Sequence, residues 1–266
     1  MKNILKFIFK RIALGLVTLW MVITITFFLL HMLPGDPFQD EKELPPQIKA
    51  NLMEKYHLDK PLGVQYLYYL GNIAKGDLGE SMRERGRTVN DTIKEGFKSS
   101  ADLGIRAIIF ALLAGIPLGI IAALKRGKYQ DKIAMVIAII GISVPSFVLG
   151  ALFIQITATY FKGFPIGGWG SFKHTILPSL ALSLMTLAYM ARLMRSTMLE
   201  VLNQDYIKTA RSKGIANKVV IFKHAVRNAI LPIISSLGTS ATNLLVGSFV
   251  IEKIFGIPGL GMFFVT

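Results

Sequence analysis

Residues Ile12–Leu33 read IALGLVTLWMVITITFFLLHML. These 22 residues contain no Asp, Glu, Lys or Arg, and thirteen of them are Leu, Ile, Val or Phe. A bilayer core about 30 Å thick needs about 20 helical residues at 1.5 Å each. At roughly −0.3 to −0.6 kcal/mol per large apolar residue near a span centre, insertion is favoured by about 4 kcal/mol or more, before polar corrections. A secretory signal has an apolar core of only about 7–15 residues, followed by a small-residue cleavage site. This stretch is longer and lacks that site, so it reads as a retained transmembrane helix.

Four further apolar blocks follow. Residues 103–124 carry one Arg, at 106, near the start. Residues 133–161 are uncharged, with Pro145 in the middle. Residues 176–194 carry Arg192 near the end, and 229–251 are uncharged. Across the 266 residues 52% are apolar and 17% charged, against about 25% charged in an average soluble domain. The blocks alternate with charged links. The expected fold class is therefore an all-α membrane protein, a polytopic helical bundle; the composition excludes a disordered chain and disfavours an ordinary soluble enzyme. The chain has no cysteine, which removes disulfides, thiolate chemistry and cysteine-ligated metals from consideration.

The charge distribution orients the bundle. Residues 1–11 hold four Lys or Arg and no acid, the link 125–132 four against one, and 191–228 eight against two. These three segments account for +13 of the net +14. The intervening segment, counted through Asp102, holds ten basic and twelve acidic residues. By the positive-inside rule the N-terminus and the 191–228 loop lie in the cytoplasm. The basic excess is thus a topology signal, and no nucleic-acid partner is expected.

The segment 34–98 reads as external. Pro34-Gly35-Asp36-Pro37 ends the first helix. Ile48, Leu52, Met53 and Tyr56 predict a short amphipathic helix over 46–57. Turns are expected at 57–62 and 76–79, and the aromatic run with Tyr66, Tyr68 and Tyr69 between them suits a membrane interface. In the cytoplasmic loop, Gly214 splits two short helices. The first is expected to place Tyr206, Thr209 and Ala210 on one face, small enough for another protein to approach. A docking knob and a solvated basic loop held by lipid headgroups are both compatible with this composition.

That loop also carries a family resemblance. Asp205, Tyr206, Thr209, Ala210 and Gly214, then His224, Ala225, Arg227, Asn228, Ala229 and Pro232, resemble the "EAA" loop of ABC importer permeases in its peptide-permease variant. Lys208-Thr209-Ala210 stands where the general family has Glu-Ala-Ala. Leu33-Pro34-Gly35-Asp36-Pro37, Val144-Pro145-Ser146-Phe147 and Phe255-Gly256-Ile257-Pro258-Gly259-Leu260-Gly261 are similar to B-type subunits of the oligopeptide and dipeptide importers, in order along the chain. The resemblance implies the type I ABC importer permease fold, with five of an expected six spans present and a sixth helix beyond Thr266. It implies an N-terminal elbow and first helix over 1–33, an external segment over 34–98 and a transmembrane domain over 99–266, with the coupling loop at 195–228. It implies a prokaryotic cytoplasmic-membrane location. The implied partners are a second permease, two cytoplasmic ATPases carrying ATP and Mg, and an extracytoplasmic solute-binding protein. Asp205, Tyr206, Thr209, Ala210, Lys213, Gly214, His224, Ala225, Arg227, Asn228 and Pro232 become the residues expected to couple to the ATPases. The cargo expected is a peptide, with nickel or another small solute as the alternative.

The residues themselves support one part of this independently. No Gly-x4-Gly-Lys-Ser/Thr motif occurs, and Gly127-Lys128 is followed by Tyr129, so ATP would have to be bound by another chain. Neither catalytic residues nor cofactors of its own are expected. The four histidines (31, 57, 174 and 224) lack metal-binding spacing. Asp102 and Glu252 stand at span ends, leaving no acid within a span for an ion-driven carrier. Ser236, Ser240 and Asn243 share a helix face and, with Ser143 and Ser146 beside Pro145, are candidates for a translocation path. Interhelical packing accounts for the same polar stripe equally well. Gly115 and Gly119 are spaced for close helix contact.

Overall fold

The computed structural model describes residues 2–33, 53, 57–81 and 86–264. The turn expected at Pro34–Pro37, and most of the helix expected over 46–57, lie outside the described residues. The chain divides into two compact units at Asn90/Asp91.

In the first unit, helix α1 (Lys2–Met32) contains the opening apolar stretch. Beyond Arg11 it is apolar on all faces, and nearly all its large side chains are exposed, as befits a helix whose solvent is lipid. A second helix, α2 (Leu62–Ala74), starts after Pro61 and carries the tyrosines. Tyr66 Oη and Thr24 Oγ1 share a hydrogen bond of 2.6 Å. Phe27, buried, stacks on His31 and meets Tyr66 and Tyr69 at 5.3 and 5.4 Å. An isolated bridge pairs Glu80 with Thr88.

The second unit is largely helical over its described residues, with non-helical links such as 161–171. It contains α3 (Val89–Leu124), α4 (Tyr129–Ser143), α5 (Ser146–Tyr160), α6 (Phe172–Leu202), α7 (Asp205–Ser212), α8 (Asn217–Ala229), α9 (Leu231–Phe255) and α10 (Gly261–Phe264). With 36 residues, α3 is roughly 54 Å long, more than a hydrocarbon core needs. Among the described residues α1, α3 and α6 are each long and apolar enough to cross a membrane, and counting each bent pair as one span raises the total to five.

One expected span is broken in two. The uncharged block 133–161 reads as a single helix in sequence, whereas α4 and α5 meet at 107°. The cause is local. Proline disfavours helical backbone in the residue before it, and Val144 is extended (φ −97°, ψ 123°). The chain restarts as a helix directly after Pro145. A second, gentler bend of 44° separates α8 from α9. Pro232 has no N–H to continue the helical ladder there, and the Thr197 hydroxyl crosses from α6 to donate to the Ala229 carbonyl at 2.9 Å.

Small residues bring the helices together. A Cβ on Gly119 of α3 would lie 2.7 Å from Met194 Cβ of α6, and one on Gly115 would lie 2.8 Å from the Leu187 carbonyl oxygen. A Cβ on Gly141 of α4 would lie 2.9 Å from the Leu184 carbonyl oxygen. Glycine here lets backbone meet backbone, which drives helix association where apolar burial cannot. Helix α6 is accordingly the central element, with Ala181, Ala188, Met190, Ala191, Met194 and Met198 all buried.

Glu252 departs from the sequence reading. It is fully buried rather than placed at an exposed span end, because the chain after α9 folds back over it. Its Oε2 accepts the Gly261 N–H at 2.7 Å, and nearby Ser100 Oγ accepts the Leu260 N–H at 2.9 Å.

Candidate coupling hairpin and polar cavity

The basic loop 203–230 folds as a helical hairpin of α7 and α8. Helix α7 starts at Asp205, whose carboxylate sits in the first turn, where the helix dipole favours it. It also pairs with Lys208 at 2.8 Å. The helix ends in a Schellman arrangement. Ile215 N–H donates to the Ala210 carbonyl at 3.3 Å and Gly214 N–H to the Arg211 carbonyl at 2.9 Å. That cap requires left-handed backbone at Gly214 (φ +74°), a conformation glycine adopts without a Cβ penalty. Helix α8 then runs with wider π-helical turns from Val220 to Val226, a form that concentrates at functional sites.

The base of the hairpin is apolar. Ile207, Ala210, Val220, Ala225 and Ala229 join Met190, Met194, Met198 and Ile233 in one buried cluster. Fully burying a side chain such as Ile207 or Val220 stabilises by about 1.5–3 kcal/mol, so the hairpin is rooted on the end of α6 rather than trailing in solvent. At the open side, Asn228 Nδ2 donates to Tyr206 Oη at 2.9 Å and to the His224 carbonyl at 3.0 Å. This ties the two helices together across 22 residues of sequence.

The expected coupling residues sort into two groups. Asp205, Tyr206, Thr209, Lys213, Gly214, Arg227, Asn228 and Pro232 are exposed, and His224 is half-buried. Ala210 and Ala225 are not available to a partner, being buried in the base. The expectation that Ala210 shares an outward face with Tyr206 and Thr209 is corrected. Ile207 and Ala210, three apart, define the inward face of α7. The small residues of the motif allow the hairpin to lie close on its own bundle. The outward surface instead combines hydroxyl, phenol and cation, with Lys208, Lys218 and Lys223 exposed, and the apolar side chains of Val219 and Phe222.

Near the bend of α4 and α5, a cavity of about 590 Å³ is lined by Ile142, Met185, Thr186, Tyr189, Ser236, Thr239, Ser240 and Asn243. Three of the five expected path residues, Ser236, Ser240 and Asn243, converge on it. Ser143 and Ser146 are not among its lining residues. Thr186, Tyr189 and Thr239 complete it and were not anticipated. Thr239 follows the same face of α9, but Thr186 and Tyr189 come from α6, and no periodicity within one helix reports a neighbour on another. Its lining is mostly apolar, with several hydroxyls, one amide and no ionised group.

A family model described as "Binding-protein-dependent transport system inner membrane component" matches residues 115–266, and a model for the N-terminal part of the same kind of component matches 4–99. The chain belongs to this family, in its oligopeptide and dipeptide permease branch. It is 45% identical over 260 residues to the dipeptide transport system permease protein DppB of Bacillus subtilis (strain 168), covering 98% of this chain and 84% of that protein. It is 43% identical over 264 residues to the oligopeptide transport system permease protein OppB of Haemophilus influenzae, covering 98% and 86%. The OppB protein of Escherichia coli (strain K12) is 42% identical over the same shares. Among solved structures, the crystal structure of an amino acid ABC transporter with histidines superposes with a TM-score of 0.53 at 18% identity, covering 65% of this chain and 75% of that one. That likeness concerns the fold. This ABC permease is thus a multi-pass inner-membrane component, and the relatives it matches are permease subunits of transport systems.

Proposed function

We propose that this permease is the membrane-spanning subunit of an ATP-driven importer that moves oligopeptides or dipeptides across the cytoplasmic membrane. The observation that carries the reading is the match over 98% of the chain to permeases of peptide transport systems. The hairpin supports a coupling role. It has a buried apolar root and an outward basic surface that also exposes Phe222 and Val219, which suits a cytoplasmic ATPase pressing on it. ATP and Mg then belong to two such ATPases. A second, similar permease completes the pathway, and an extracytoplasmic binding protein delivers cargo. The N-terminus lies in the cytoplasm, as the basic residues of 1–11 require.

The cavity favours a peptide over a metal ion as cargo. Hydroxyls and an amide pair with peptide N–H and C=O groups whatever the side chains. A hard or borderline cation would instead call for carboxylate, imidazole or thiolate ligands. Uptake of a radiolabelled dipeptide into membrane vesicles that contain the complete importer tests the reading. ATP-dependent uptake that survives an uncoupler supports it. Uptake of labelled nickel but not of peptide, or uptake abolished by uncoupler in the presence of ATP, overturns it.

A further inference from the structure

The link between α3 and α4 and the cytoplasmic end of α6 are joined by a contact that the motifs do not include. Arg195 Nε donates to Asp131 Oδ1 at 2.6 Å, and Arg195 Nη2 donates to Asp131 Oδ2 at 2.8 Å. The Gly127 N–H adds a third donor to Oδ2 at 3.0 Å. Asp131 is only 5% exposed. A two-pronged guanidinium–carboxylate pair fixes orientation as well as distance. Burial keeps water and salt from screening it. A pair in this setting is weak evidence for stability alone, since well-packed apolar residues often do as well. Its use lies in geometry.

Its position gives that geometry a consequence. Asp131 is in the first turn of α4, and Ile142, near the other end of α4, lines the cavity beside the bend. Arg195 is on α6, which lines the same cavity through Met185, Thr186 and Tyr189. Helix α4 is therefore fastened to α6 at both ends, by the ion pair and by the close packing at Gly141. Two residues beyond Arg195, Thr197 holds the Ala229 carbonyl at the inner end of the coupling hairpin. A continuous chain of directional contacts runs from the hairpin through α6 to the cavity wall.

We propose that the Asp131–Arg195 pair is a transmission rivet: it makes α4 and α6 move as one body, so that displacement of the hairpin re-shapes the cavity. Both residues are positioning residues and touch neither nucleotide nor cargo. The inference rests on the coupling role proposed for residues 205–232.

The test uses the complete importer in proteoliposomes, with labelled dipeptide and ATP, and reads peptide moved per ATP hydrolysed. We expect Asp131→Asn to retain assembly and ATP hydrolysis while lowering that ratio about tenfold, within the range for residues that modulate coupling without contacting a ligand. Arg195→Lys, which keeps the charge but loses the fork, falls in between. The charge-reversed double variant Asp131→Arg/Arg195→Asp recovers most of the ratio. An unchanged ratio in Asp131→Asn overturns the proposal. So does a double variant no better than the single ones.

The chain's lack of cysteine permits a second measurement that does not depend on how well a single variant folds. Asp131→Cys/Arg195→Cys, joined by a short bifunctional thiol reagent, is expected to couple better than the same protein left unjoined. If joining the two positions abolishes transport, the pair must open during the cycle and the rivet is wrong. Failure of the wild-type importer to link uptake to ATP would instead bring down the coupling role itself, which separates the two failures.

Discussion

Asn228 on α8 donates a 2.9 Å hydrogen bond to the phenol of Tyr206 on α7, closing the hairpin of α7 and α8 at its open side. The bond is solvent-exposed, so it contributes little to global stability. Replacing Tyr206 by Phe removes the acceptor while keeping the ring, and is expected to cost about 0.5–1 kcal/mol. Its larger effect is expected on the register of the two helices. ATP-driven uptake should fall several-fold, with expression and thermal stability in detergent nearly unchanged, and paired uptake and melting assays check this.

Gly214 is where backbone and partner requirements separate. A Cβ there meets nothing within 4 Å, so Gly214→Ala has only the left-handed backbone to contend with. That costs roughly 1–2 kcal/mol. Gly214→Asn is expected to be milder, because asparagine tolerates this region. Melting temperatures of the purified permease should rank Gly, Asn, Ala in descending order.

Gly119 and Gly238 give opposite outcomes for the same chemical change. At Gly119 an added Cβ would fall 2.7 Å from Met194 Cβ and 3.1 Å from the Arg195 amide nitrogen. Gly119→Ala must push α3 away from α6 and is expected to destabilise by about 1–3 kcal/mol. At Gly238 nothing lies within 4 Å, and Gly238→Ala is expected to be neutral or to stabilise by up to about 1 kcal/mol through helix propensity. Thermal aggregation of the two variants side by side in one detergent decides the matter.

Glu252 anchors the turn after α9. Glu252→Gln keeps an acceptor for the Gly261 N–H, whereas Glu252→Leu leaves that buried donor unpaired. The expected loss for Leu is about 1–3 kcal/mol, with Gln closer to wild type. Limited proteolysis of the 256–264 region reports it: faster cleavage in Leu than in Gln.

Much of this architecture is legible in the sequence because lipid imposes a simple rule. A segment that crosses hydrocarbon must be apolar and must satisfy its own backbone, so 12–33 and 103–124 announce themselves. Small residues such as Gly115 and Gly119 mark helix contacts for the same reason. The break at Val144-Pro145 was legible only as an irregularity, since proline in membrane helices ranges from a mild kink to a full break, and neighbouring helices decide which. The facing of Ala210 was misread because a small residue serves equally well under a partner's surface and against its own core. Glu252 and Asp131 were missed as buried acids because the groups that receive them come from elsewhere. Gly261 arrives through a turn, and Arg195 lies 64 residues away. One half of the cavity followed from the spacing of Ser236, Ser240 and Asn243, while the other half, on α6, carried no signal in the local pattern.

The central claim is that the hairpin of residues 205–232 docks the ATPases. The most direct measurement is a mild-detergent pull-down of the tagged permease from its native membrane, with mass spectrometry of the associated chains, for wild type and Gly214→Trp in parallel. Among the described residues nothing lies within 4 Å of a Cβ at Gly214, so the indole would protrude from the outward surface. We expect wild type to bring down P-loop ATPases and a second permease. Gly214→Trp should still insert in the membrane and keep the second permease but lose the ATPases. Recovery of the ATPases at wild-type levels with Gly214→Trp would contradict the docking role of the hairpin.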